Sequence, residues 1–107
     1  MAETPVCAAA DVAPGTVQGF EVGGEKIAVY NIDGSFYATE ARCTHATADL
    51  ADGILDGETI ECTMHFGAFN VKTGKAVQAP CTIDLKTFKT VVRDGQVLVD
   101  LNAPAGS

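Results

Sequence analysis

A chain of 107 residues is long enough for one domain with one modest core, and none of its apolar runs approaches the roughly 18 residues of a membrane span. Hydrophobic residues make up 47% and charged residues 20%, the balance of a globular protein rather than a disordered one. A formal charge of −7 excludes nucleic acid as the natural partner, because phosphate contacts need clustered Lys and Arg.

The first residues, Met1-Ala2-Glu3-Thr4-Pro5, hold an acid, no base and no apolar stretch. They do not resemble a targeting segment, so a reducing, cytoplasmic setting without a membrane is expected. Ala8-Ala9-Ala10 is stopped by Pro14-Gly15 and promises no helix. Turn signals then recur at Gly23-Gly24, Asp33-Gly34, Asp56-Gly57, Thr73-Gly74 and Asp94-Gly95. Asp-Gly is a strong hairpin signal, since both turn positions require positive φ. The flanking runs predict strands at Lys26–Ile32, Phe36–Thr39, Thr59–Glu61, Phe88–Val92 and Gln96–Leu101. Phe88, Thr90 and Val92 should share one face, and Val97, Val99 and Leu101 another, with period 2. An irregular stretch runs from about Ala41 to Asn70, and the small polar tail Asn102–Ser107 should fray. The expected fold class is all-β, a single domain over 1–107.

Charge is uneven along the chain. Glu40 to Glu61 holds six acids against Arg42, and Lys72 to Arg93 holds five bases against Asp84. Such blocks serve either as a solvated surface or as docking patches for redox partners.

The chemistry concentrates in two short motifs. The chain has two histidines, and each stands beside a cysteine, in Cys43-Thr44-His45 and Cys62-Thr63-Met64-His65. Thiolate and imidazole are ligands for iron and zinc. A spacing of two or three residues lets one tight loop aim both ligands at one site. The repeated Cys-then-His order suits a two-iron group with both Cys on one iron and both His on the other. A structural zinc site also takes these residue types and would make the chain a zinc-stapled binding module. Cys7 and Cys81 stand apart from any His and read as small buried hydrophobes, a disulfide between them being disfavoured in a reducing compartment.

Cys-Thr-His, sixteen residues, then Cys-Thr-Met-His-Phe-Gly resembles the Rieske signature. Thr73 to Pro80 resembles the family's third loop, whose proline covers the cluster. The likeness runs over nearly the whole chain and is closest to the stand-alone ferredoxins of bacterial aromatic-ring-hydroxylating dioxygenases. It implies a Rieske fold of stacked sheets with a cluster-binding subdomain inserted at about 41–70. It also implies one [2Fe–2S] cluster, with Cys43 and Cys62 on the inner iron and His45 and His65 on the outer one. The implied function is an electron carrier and not an enzyme. As a monomer, it would move single electrons from an NADH-dependent flavoprotein reductase to a terminal oxygenase. A small subunit of an assimilatory nitrite reductase resembles the same fold and is the alternative.

High-potential relatives carry a cysteine in each ligand loop, where this chain has Ala48 and Met64. They also carry a Ser and a Tyr that donate hydrogen bonds to sulfur, where this chain has Gly67 and Phe69. Without those donors the reduced state is less favoured, and the resemblance implies a low potential. Thr63 departs from the proline common at its position, and Phe66, beside an outer ligand, is open to loop packing or partner docking.

Overall fold

The computed structural model describes residues 3–41, 50–61, 67–78 and 85–100, with Gln78 described for its backbone only. Ten strands are described: β1 Glu3–Ala8, β2 Thr16–Val22, β3 Glu25–Ile32, β4 Ser35–Glu40, β5 Ile54–Asp56, β6 Thr59–Glu61, β7 Ala68–Asn70, β8 Ala76–Gln78, β9 Thr87–Arg93 and β10 Gln96–Asp100. Single 3₁₀ turns stand at Ala9–Asp11 and Leu50–Asp52, and no other helix occurs among the described residues. None is long and apolar enough to cross a membrane.

The strands form two antiparallel sheets. The larger has the order β1-β10-β9-β4-β3-β2 and the smaller β5-β6-β7-β8. The chain builds β1 to β4 first, crosses to the small sheet, and returns with β9 to pair against β4 at Ala38↔Phe88 and Thr39↔Thr87. The small sheet is therefore an insertion between two halves of the large one. It reaches Gln78, further than the expected boundary at Asn70; within 41–70 the described residues include the expected strand Thr59–Glu61 and two short strands that were not expected, Ile54–Asp56 and Ala68–Asn70.

β3 is the hinge of the packing. Its sequence Lys26-Ile27-Ala28-Val29-Tyr30 is almost unbroken in apolar character because both faces are covered. Ile27 and Val29 point into a core with Val12, Ala38, Phe88, Val97 and Val99. Ala28 and Tyr30 point the other way, into a core with Ala41, Leu50, Ile60, Phe69, Val71 and Leu85. The second core joins the two sheets. The polar end of Tyr30 in it is satisfied: the Tyr30 hydroxyl donates to Thr39 Oγ1 at 2.9 Å, and Thr39 donates on to Glu40 O.

The Asp-Gly turns behave as their chemistry requires. Asp33 and Gly34 have φ of 53° and 89°, and Asp94 and Gly95 have 52° and 76°, so each pair closes a two-residue hairpin with the twist of its strands. Asp56-Gly57 departs from this pattern. Asp56 pairs with Thr59, so the turn residues are Gly57 and Glu58 and only Gly57 takes positive φ. The expected alternations are also modified. Phe88 is buried but Val92, on the same face, is exposed at the far end of β9. In β10, which lies between β1 and β9 in the sheet, Leu98 and Asp100 are buried together with Val97 and Val99. Leu101 lies outside the described residues.

Candidate metal centre

Cys43, His45, Cys62 and His65 all lie outside the described residues, as do Ala48, Thr63, Met64, Phe66, Pro80 and Cys81. What is described is the framework from which their segments depart, and it brings the roots of those segments together.

The first segment, 42–49, starts at Ala41 and ends at Leu50. Both are buried, and the Leu50 N–H donates to Ala41 O at 2.6 Å, so the segment leaves and returns at one point. The second, 62–66, lies between β6 and β7, whose ends Glu61 and Ala68 are paired. Gly67, at its close, is buried. The third, 79–84, follows Gln78, which pairs with Ala68, and ends at Leu85, whose N–H donates to Gly74 O at 2.7 Å.

These roots touch one another. Gly53 stands directly after the Leu50–Asp52 turn and donates its N–H to Leu50 O at 3.0 Å. A Cβ built on Gly53 would overlap the Glu61 carbonyl and lie 3.1 Å from Leu50 O. The end of the first segment and the start of the second therefore meet with no room for a side chain between them. The third segment joins the first across Glu40. The Glu40 N–H donates to Lys86 O at 2.9 Å, and the Lys86 N–H donates to the Glu40 carboxylate at 2.7 Å. Beneath all three lies the core of Ala41, Leu50, Ile60, Phe69 and Leu85.

This framework fits a group that needs ligands from two adjacent segments. The two segments whose sequences carry these two thiols and two imidazoles have roots that meet at Gly53, and donors of those types would suit a two-iron centre. The sequence motifs located the ligand candidates. Gly53 and Glu40 carried no motif, and only the contact of distant backbones reveals them. Phe69 is wholly buried in the core.

The charge blocks do not stay apart. Lys72 Nζ lies 3.4 Å from Glu58, so the acidic and basic stretches meet at the tip of the β5–β6 hairpin. Cys7, at a bulge in the edge strand β1, is half-buried against the Phe88 core. Burial first, and then the Asp11 carboxylate, push its thiol above the usual range. This agrees in part with its expected role as a small buried hydrophobe.

Residues 2–89 match the model of the Rieske [2Fe–2S] domain. The chain is 50% identical over 95 residues to Ferredoxin CarAc of Metapseudomonas resinovorans, covering 88% of this chain and 89% of that one. It is 44% identical over 101 residues to the ferredoxin component of biphenyl 2,3-dioxygenase from Rhodococcus jostii RHA1, covering 94% of each. Among solved structures it resembles a chain from the complex of reduced oxygenase and oxidised ferredoxin in carbazole 1,9a-dioxygenase. That match has a TM-score of 0.89 and 44% identity, and covers 99% of this chain and 98% of the other. With the domain matched over most of its length and the architecture shared from end to end, the chain belongs to the Rieske [2Fe–2S] family.

Proposed function

We propose that this chain is a single-domain electron carrier, 1–107, in which Cys43, His45, Cys62 and His65 hold one Rieske [2Fe–2S] cluster. It would take electrons from an NADH-dependent flavoprotein reductase and pass them to the terminal oxygenase of an aromatic-ring-hydroxylating dioxygenase. The observation that supports this most strongly is the meeting of the two Cys–His segments' roots at Gly53. Family membership sets aside the zinc-stapled module. When bound, the cluster supplies one-electron redox chemistry.

The chain's own residues account for the rest. The buried core of Leu50, Ile60, Phe69 and Leu85 fixes the roots of the ligand segments. A fixed frame lowers the rearrangement that accompanies a change of charge and so favours fast transfer. Two relatives of similar length, at 50% and 44% identity, are ferredoxins of this kind, and a structural relative at 44% identity was solved in a complex of oxygenase and ferredoxin. These supports favour the diffusing carrier over the nitrite reductase subunit. With that role goes a cytoplasmic setting, where NADH feeds such reductases, and a chain that works as a monomer.

The test is reconstitution. The purified red-brown protein, mixed with a flavoprotein reductase, NADH and a dioxygenase terminal component, should support aromatic dihydroxylation that stops when the carrier is left out. Turnover independent of the carrier, or stable capture by a sirohaem enzyme instead, would contradict the proposal.

A further inference from the structure

Short backbone approaches hold the roots together, and the one at Gly53 depends on the absence of a side chain. Gly53 is not in the left-handed region, so its backbone conformation alone does not demand glycine. Space does. A methyl group there would overlap Glu61 O, the carbonyl directly before Cys62, and press on Leu50 O, at the end of the segment that carries Cys43 and His45. Both neighbours are backbone and cannot swing aside as a side-chain tip could. Leu50 is held by Ala41 and Glu61 by Ala68, so displacement at Gly53 passes into both roots.

We propose that Gly53 is a positioning residue: it sets how closely the two ligand-carrying segments approach, and through that the geometry of the metal centre. Gly53 touches no metal in this role. It acts through Leu50 and Glu61. The inference rests on the ligand assignment above, and the wild-type spectrum tests that assignment separately. A wild-type protein without a Rieske spectrum removes the ligand assignment. A normal wild-type spectrum with an unaffected Gly53 variant removes only the role of Gly53.

The experiment compares the full-length, cluster-loaded wild type with Gly53→Ala and Gly57→Ala. Gly57 lies in the turn of the same β5–β6 hairpin at φ 60°, and a Cβ there meets nothing within 4 Å. Gly57→Ala therefore strains the hairpin without separating the segments. Three quantities are read: the g-values of the reduced protein, its midpoint potential, and the rate of iron loss to a chelator. Gly53→Ala should shift the g-values and the potential and lose iron several-fold faster. Gly57→Ala should lower the melting temperature and leave the g-values and potential as in wild type. A folded, loaded Gly53→Ala protein with wild-type g-values and potential overturns the proposal, as do equal shifts in both variants.

If Gly53→Ala yields no loaded protein, Gly19→Ala decides. Its Cβ would lie 3.0 Å from Ala51 Cβ, a milder push on the turn that leads into Gly53. A measurable shift of the g-values or the potential from wild type supports the proposal, and an unshifted spectrum and potential overturn it.

Discussion

Asn70 and Glu58 show how much one pair of side chains organises. Asn70 Oδ1 accepts from the Lys72 and Thr73 N–H groups at 2.9 and 3.3 Å and shapes the turn after β7. Its amide donates to Glu58 Oε1 at 3.0 Å, tying that turn to the β5–β6 hairpin. This hydrogen bond first, and then the Lys72 ammonium, hold the Glu58 carboxyl below the usual carboxylate range. A carboxyl whose folded pKa is depressed stabilises the fold above its unfolded value, about 4.3, and the benefit is lost as pH falls through the folded pKa. Glu58 is exposed, so the effect is small. Glu58→Gln should melt slightly below wild type at neutral pH, and the gap should close below about pH 4. Melting curves across that range check it, and a gap that persists in acid would contradict it. The partnership could not be read from the sequence, because it joins two turns that meet only in the folded sheet.

At the scale of elements, Asn31 ties the β3–β4 hairpin to the segment before β2. Its buried side chain donates to Val12 O at 2.8 Å and accepts from Gly34 N–H at 2.8 Å. Asn31→Ala would leave Val12 O and the Gly34 N–H without these partners, at a cost of about 1–3 kcal/mol. Urea denaturation should show a lower midpoint with an unchanged slope. Strands β3, β4, β9 and β10 were legible because Asp-Gly turns punctuate them and their apolar content is dense. β1 and β2 were not. β1 contains Pro5, tolerated because this is an edge strand with a bulge beside it, and β2 is an edge strand interrupted by Gly19. β5, β7 and β8 have three residues each, too few to show a period. The Gly53 contact escaped sequence reading for a different reason: nothing local distinguishes a glycine needed for space.

Taken as a whole, the molecule places two apolar cores on opposite faces of β3 and raises three segments from one of them. Its acidic and basic stretches meet where Glu58 pairs with Lys72, a local contact that leaves the net charge of −7 unchanged. With Gly67 and Phe69 offering no hydroxyl, the midpoint potential should lie near the low end of the Rieske range, at roughly −150 mV rather than +300 mV. Cyclic voltammetry checks this, and a clearly positive midpoint would contradict it. The central claim is that two histidines and two cysteines share one two-iron centre. Pulsed EPR of the reduced protein tests it most directly, because magnetic coupling to nitrogen reports ligation by imidazole. Wild type should show couplings from two imidazole nitrogens. His45→Cys and His65→Cys should each alter or abolish that signal, and Cys7→Ser should leave it intact. A reduced protein without imidazole coupling, or a histidine variant with an unaltered spectrum, would contradict the account.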